Sequence, residues 1–240
     1  MPFFIDVFTN AEQGAKGMIS LDNRIEGHAL YLRPSMIKFI GSPSSDIEIC
    51  GANFKPLPMY LNRQTIKILE DLGVGDAAFL QLQADAVEKL RQTTESPINA
   101  ANFLKRQLVG QAAKLPWLIR ELWDIGLSYE KDDFLRNTLE MCVLAELREL
   151  KHRSRIRVEQ GVTLYGIMDE TDYLVEGQIY CSVYNEDGLS ILTGSVVITR
   201  CPALHPGDVQ CVQAVDVPLE SPLRALHNCV VFSQQGARGT

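Results

Sequence analysis

Residues 194–218, GSVVITRCPALHPGDVQCVQAVDVP, restrict the folds open to this chain more than any other stretch. Val196, Val197 and Ile198 are β-branched, and their crowded Cβ atoms favour extended backbone over helix. Leu204-His205-Pro206-Gly207-Asp208 then interrupts the run. Proline presets φ at the first central position of a turn and glycine takes positive φ at the second, so the spacing predicts a type II turn at Pro206-Gly207. Val209, Cys211 and the run to Val217 resume extended chain, and Pro218 ends it. Arg200 sits where the first strand enters the turn, a place from which a scaffold presents working side chains.

The remaining chain divides by periodicity. Residues 1–60 are strand-rich: Met18-Ile19-Ser20-Leu21 and residues 28–32 are short extended runs, with Asp22-Asn23-Arg24 as the turn between them. Ile37, Phe39 and Ile40 continue the pattern, residues 41–46 form a loop, and Ile47-Glu48-Ile49 is another strand. Residues 61–152 are helical. Leu61, Thr65, Ile68, Leu69 and Leu72 fall on one face, and Gly73 is placed to stop that helix. Phe79, Leu82, Ala86, Val87 and Leu90 mark a second helix, and Pro97 separates it from a third that runs to about Gly110. Pro116 opens a fourth, with Trp117, Leu118, Leu122 and Ile125 mostly on one side. Residues 134–150 form the longest, with Leu135, Leu139, Cys142, Ala145 and Leu150 inward. From residue 153 the chain returns to strands, and Asn185-Glu186-Asp187-Gly188 has hairpin-turn chemistry.

Composition narrows function only loosely. With 240 residues, 46% hydrophobic and 22% charged, the chain is ordinary for a globular protein of one large or two small domains. A net charge of -7 argues against non-specific nucleic-acid binding by the whole surface, although a local cleft can still be basic. Six cysteines without CxxC or histidine spacing for zinc read as buried thiols in a reducing compartment. No apolar run reaches the ~18 residues of a membrane span, and MPFFIDVFTNAEQ lacks the basic start and apolar core of a signal peptide.

Several motifs carry a resemblance. TRCPALHPGDVQ followed by AVDVP is similar to the TRNPxLHPGD…AVDVP signature of the eukaryotic RNA-dependent RNA polymerases of RNA silencing, with Cys201 where the family usually has Asn and Ala203 where it often has Cys. The Arg-x-Pro-x-Leu-His part also resembles a segment of the largest subunit of DNA-dependent RNA polymerases. Ala15-Lys16-Gly17 with Leu32-Arg33-Pro34-Ser35-Met36-Ile37-Lys38-Phe39 resembles KG…LRPSxxKF, and Leu61-Asn62-Arg63-Gln64 with Leu72-Gly73-Val74 resembles LNRQ…LGV. TLYGIMDET and GQIY match TLxGxxDET…GQVY, and CVVFSQQGAR resembles VVFPQKGxR, with Ser233 and Gln235 for Pro and Lys. The resemblance covers both ends, and in the middle extends only to a helical insertion.

The resemblance implies an α+β chain with parts of two double-psi β-barrels joined by a helical segment: residues 1–60 in the first barrel, 61–152 as the helical connection, and 153–240 as the N-terminal part of the second. It implies RNA-directed RNA polymerase activity for the complete protein, copying single-stranded RNA template into double-stranded RNA from nucleoside triphosphates with Mg2+, inside the cell in cytoplasm or nucleus, alongside RNA-silencing proteins and with no membrane. The family's metal-holding DxDGD loop follows the VVFPQKGxR strand and does not occur here. Its aspartate triad is expected beyond Thr240, so this fragment is expected to be inactive alone and to hold no catalytic or metal-binding residue of its own. Lys16, Lys38 and Arg200 are the expected nucleotide and phosphate contacts, in one shared cleft, and Arg33, Arg153, Arg155 and Arg238 are candidate RNA contacts. The alternative is a non-catalytic RNA-binding or scaffold remnant of the same fold.

Plainer readings stand beside these. Asp169, Glu170 and Asp172 are the nearest carboxylate cluster, but carboxylates are mostly exposed, and a solvated turn explains them. Gly73-Val74-Gly75 does not open a helix after a strand, and Gly14-Ala15-Lys16-Gly17 lacks Walker spacing. Lys16 and Lys38 by themselves read as surface lysines. His205 reads as a turn residue bonding backbone, and Arg63 as a helix anchor. The basic run Arg148, Lys151, His152, Arg153, Arg155 and Arg157 suits an RNA backbone and a helix C-terminus equally.

Overall fold

Local capping chemistry sets most element boundaries. The computed structural model describes residues 3–10, 13–41, 47–52, 55–185 and 188–236. Helix α1 (Arg63–Asp71) starts where Asn62 Oδ1 accepts from the Thr65 backbone N–H at 2.8 Å. It stops at Gly73, whose φ of 97° is open to glycine without steric cost. There Gly73 N donates to Glu70 O and Val74 N to Leu69 O, the paired bonds that satisfy a helix's last carbonyls. Helices α2 (Asp76–Gln92), α3 (Pro97–Arg106), α4 (Leu115–Asp124) and α5 (Asp133–Arg153) follow. Ser96 caps α3, with proline in its first turn, and Asp132 caps α5.

The chain separates into two compact units, residues 60–159 and residues 1–59 with 160–240. The helical unit is built on Ala100, Ala101, Phe103, Leu104, Leu115, Ile119, Tyr129, Leu135 and Leu139. Within it α4 buries Leu115 and Ile119, with Leu118 and Leu122 partly covered. Trp117 and Ile125, expected on the inner side, are exposed at 56% and 67%. The i, i+3, i+4, i+7 stripe that begins at Leu115 sets the buried face, and a large aromatic at a neighbouring position does not redirect it. In α5, Leu135 and Leu139 are buried as expected, whereas Ala145 is exposed.

In the other unit, β1 (Phe3–Asn10), β2 (Gln13–Ile19), β3 (Ile37–Ile40) and β4 (Ile47–Ala52) make an antiparallel sheet ordered β3-β2-β1-β4. Strands β5 (Leu57–Tyr60) and β6 (Arg157–Thr163), along each of which the chain passes from one unit to the other, pair with each other. Then come β7 (Tyr165–Met168), β8 (Gln178–Asn185), β9 (Gly188–Ile191), β10 (Gly194–Thr199), β11 (Val209–Ala214) and β12 (Cys229–Phe232). They form a mixed sheet ordered β10-β11-β8-β12-β7, with β9 also on β8. The β8–β9 ladder places Asn185 opposite Gly188, consistent with the hairpin; Glu186 and Asp187 lie outside the described residues. One face packs on Ile167, Leu174, Tyr180, Val217, Leu223, Leu226, Cys229 and Val231. A second cluster gathers Ile179, Cys181, Val183 and Ala214.

Four expectations need correction. The α+β class stands, but the double-psi β-barrels do not: among the described residues no sheet closes on itself, β3 and β4 ending one sheet and β10 and β7 the other. Closure needs an unbroken ladder around the ring, and residues 28–32, expected as a strand, are loop. The Pro206-Gly207 turn is one turn of 3-10 helix over Pro206–Asp208 rather than type II. Asp208 Oδ2 accepts from Leu204 N and His205 N, and His205 Nδ1 accepts from Gly207 N at 3.0 Å, so reciprocal side-chain caps fix the turn without a left-handed glycine. Finally, Cys50, Cys201 and Cys211 are exposed, while Cys181 and Cys229 are buried.

Burial pushes the Cys181 thiol up to about 11 and Cys229 up to about 12. The thiolate is the reactive form. In the folded protein at pH 8, Cys50, Cys201 and Cys211 are expected to react with an aromatic disulfide reagent within minutes, and Cys181 and Cys229 only after unfolding. Peptide mass spectrometry after timed labelling checks this; labelling of Cys229 as fast as Cys211 would contradict the packing described.

Candidate functional site

The turn after β7 is organised by one carboxylate. Asp169 is fully buried. Its Oδ1 accepts from Thr171 N at 2.7 Å and Thr171 Oγ1 at 2.6 Å, and its Oδ2 accepts from Tyr173 N at 2.9 Å and Leu174 N at 2.8 Å. A buried carboxylate is costly unless donors surround it, and here short local backbone supplies them. The turn is tied to β12 as well: Asp169 N donates to Phe232 O, Ser233 Oγ to Leu174 O, and Gln234 Nε2 to Asp169 O. The solvated-turn reading therefore fails for Asp169.

Its neighbour Glu170 joins this turn to the loop before β3. Arg33 donates from Nη1 to Glu170 Oε1 at 2.7 Å and from Nη2 to Met18 O at 3.2 Å. Arg24 reaches Glu170 O from Nη1 at 3.2 Å, while its Nε and Nη2 engage both oxygens of Asp22. The Arg24 guanidinium holds the Asp22 carboxyl below its usual range, and Asp22 in turn raises Arg24. Met18 adds apolar contact by packing against the Ile167–Leu174–Tyr180 cluster.

Lys16 and Lys38 lie on the neighbouring strands β2 and β3, both exposed. Phe39 pairs with Gly14 and Ile37 with Ala15, which leaves Lys38 as the extra residue in its strand. Such a bulge re-aims a side chain. Lys38 Nζ donates to Ser35 O at 3.4 Å. Gly14 is required here, since a Cβ on it would fall 2.2 Å from the Phe39 ring. Arg200 follows β10, on the other sheet, and is exposed. Main-chain N–H groups of Leu204 and His205 hold Asp208 below the usual carboxylate range, with Arg200 adding to the effect. The structure thus puts the two lysines on neighbouring strands of one sheet and Arg200 after a strand of a separate sheet.

The remaining candidates lie in the helical unit or beyond the described residues. Arg153 pairs with Glu149 at 3.2 Å at the end of α5. Arg155 stacks over the Tyr60 ring, 4.1 Å from its centroid. Arg63 Nη2 donates to His152 O, anchoring α1 to α5. Arg238 lies outside the described residues.

The sequence profile described as RNA dependent RNA polymerase matches residues 9–240. The chain belongs to the RNA-dependent RNA polymerase family, of the eukaryotic, RNA-silencing type. It is similar to Probable RNA-dependent RNA polymerase 1 of Oryza sativa subsp. japonica, 36% identical over 228 residues, covering 94% of this chain and 30% of that protein. RNA-dependent RNA polymerase 1 of Arabidopsis thaliana is 33% identical over 228 residues, covering 94% and 20%. The chain thus spans a third or less of the length of these relatives. Among solved structures, RNA dependent RNA polymerase QDE-1 from Thielavia terrestris aligns with a TM-score of 0.72 at 19% identity, covering 98% of this chain and 28% of that one, a likeness of fold.

Polymerases of this family are expected to use magnesium, and the carboxylates of this turn do not fit that ion. Asp169 spends both oxygens on the turn and Glu170 is paired with Arg33. Among the described residues no group of three His, Cys, Asp or Glu side chains is placed to hold a metal ion. Sequence reasoning missed the role of Asp169, although Asp-x-Thr is a recognisable signal for a carboxylate bonding its own backbone two residues on.

Asp169→Ala strands three main-chain N–H groups and a hydroxyl, and is expected to cost about 3 kcal/mol or more. Glu170→Gln touches an exposed pair and should cost about 1 kcal/mol or less; urea unfolding of both variants checks the contrast. Asp22 has a folded-state pKa below its unfolded value, so its stabilisation is complete above the unfolded pKa and drains as pH falls through the folded one. The stability gap between the parent and Asp22→Asn is therefore expected at neutral pH and should close below the ordinary carboxylate range, measured by denaturation at stepped pH.

Proposed function

We propose that this chain is a non-catalytic, RNA- and nucleotide-facing part of an RNA-dependent RNA polymerase, and that the complete protein copies single-stranded RNA into double-stranded RNA from nucleoside triphosphates in RNA silencing. The observation that carries the first half is the commitment of Asp169: its four accepted hydrogen bonds leave the motif's buried carboxylate to structure. Two-metal nucleotidyl transfer needs carboxylates that clasp the ions attending the attacking and leaving oxygens, and in this reading they are supplied by another part of the polymerase. Family membership supports the second half.

Lys16, Lys38 and Arg200 are the proposed contacts to the incoming nucleotide. A triphosphate brings several negative charges, and preorganised cations stabilise those that develop in the transition state. The extra-residue position of Lys38 in β3 supports an aimed rather than incidental side chain. A planar guanidinium donates in a fork to sugar or phosphate oxygens in a way an ammonium cannot, so Arg200 is assigned to the sugar. Arg33 is held by Glu170 and Met18 O, which orients it without consuming all its donors.

The test uses purified chain, template RNA, magnesium and labelled nucleoside triphosphates. No template-dependent product is expected, and its appearance would overturn the non-catalytic reading. In the complete polymerase, Lys16→Ala and Lys38→Ala are each expected to lower kcat by about 100-fold. Arg200→Ala should narrow the preference for ribo- over deoxyribonucleotides, and Arg200→Lys should not restore it. Unchanged kinetics in all of these variants would return the three cations to the surface.

A further inference from the structure

A second group of cations lies wholly within the helical unit. Residues 155–159 alternate: Arg155, Arg157 and Glu159 are exposed, Ile156 is buried and Val158 is half-buried. Arg157 and Glu159 are alternate residues of β6 and share one face; Arg155 sits in the turn that Ile156 N closes by donating to Ser154 O at 3.0 Å, and Leu61 N donates to Ile156 O at 2.8 Å. Arg155 and Arg157 are thus exposed cations two residues apart at the entry to β6. Lys89 of α2 reaches Glu159 Oε1 at 2.8 Å, and Arg157 Nε lies 3.6 Å from Glu159 Oε2. Arg106 of α3 acts on the same carboxylate, which is held below its usual range, first by Lys89. Three cations, Lys89, Arg106 and Arg157, therefore gather around one carboxylate, with Arg155 two residues before Arg157, on a chain whose overall charge is -7.

An aromatic ring completes the group. The Arg155 guanidinium carbon lies over Tyr60, 4.1 Å from the ring centroid, and Arg155 remains exposed. Single strands are bound by a positive track along the backbone combined with planar groups on which bases stack. A surface ion-pair network needs no such excess of one sign, and its individual pairs contribute little to stability.

We propose that Lys89, Arg106, Arg155 and Arg157, with Arg155 stacked on Tyr60, form a binding site for the backbone of single-stranded RNA on the helical unit, and that Glu159 sets its strength. The site rests on the polymerase reading above. It draws on none of Lys16, Lys38 and Arg200, and reads charge rather than base sequence.

The experiment is fluorescence anisotropy of the purified chain with two labelled single-stranded RNA oligonucleotides of unrelated sequence, across a salt series. Lys89→Gln and Arg157→Gln are expected to weaken binding severalfold for both oligonucleotides, and to reduce the slope of log K against log salt by about 0.7 for each cation removed. Glu159→Gln is expected to tighten binding, an outcome that unfolding or loss of a structural ion pair does not produce. If the parent binds RNA and the lysine and arginine variants bind equally well, the site is wrong and the RNA-facing reading survives. If Glu159→Gln weakens binding, the cluster is structural and the site is again wrong. If the parent binds no RNA at low salt, the RNA-facing reading falls along with the site. Competition by polyglutamate as effective as unlabelled RNA would make this a docking face for acidic protein and overturn the proposal.

Discussion

A buried carboxylate surrounded by its own backbone is the interaction on which much of the strand-rich unit depends. Asp169 collects three main-chain N–H groups and a hydroxyl within five residues, closing the turn after β7 into a rigid knot. That knot positions both the carbonyl and the carboxylate of Glu170, the two groups that Arg24 and Arg33 engage from the loop between β2 and β3. The same loop carries Arg33 into the segment that leads to Lys38. Backbone rigidity at one turn is thereby passed to the motif residues of a distant part of the chain.

This arrangement explains how a conspicuous Asp-Glu-Thr-Asp motif can be structural in a chain of the RNA-dependent RNA polymerase family. Metal ions need oxygens with spare lone pairs, and the oxygens of Asp169 are all directed at donors of the turn. Ser233 and Gln234 add further bonds to the same turn, so the segment after β12 is bound to the knot rather than to a separate site. The proposed contacts of Lys16, Lys38 and Arg200 to sugar and phosphate need no metal ligand in this chain, only that their cations be aimed.

The helical unit obeys different physics. Its core is a single apolar cluster, and its helix ends are settled by side-chain caps at Asn62, Ser96 and Asp132. Cations at the end of α5 complement the helix dipole, and beyond it Arg155 lies over Tyr60 and Arg157 begins β6. A net acidic protein can carry a local cluster of cations, because electrostatic attraction at short range follows neighbouring charges rather than the total.

The order of elements, the helix bounded by Asn62 and Gly73, the inward positions Leu135 and Leu139, the local role of His205 and the family were all legible in the sequence. Each follows from interactions within a few residues or from motifs that travel intact. The open sheets, the loop at residues 28–32, the 3-10 turn at Pro206, the exposed Trp117 and the exposed Cys50, Cys201 and Cys211 were decided elsewhere. Whether a β-prone run pairs depends on a partner strand with a free edge, and whether an apolar side chain is covered depends on which element packs over it. Asp169 shows the boundary between the two. Its bonds to Thr171 and Leu174 are local and readable as an Asp-x-Thr turn, but its burial, and the capture of Glu170 by Arg33 across 137 positions of sequence, exist only once the chain has folded.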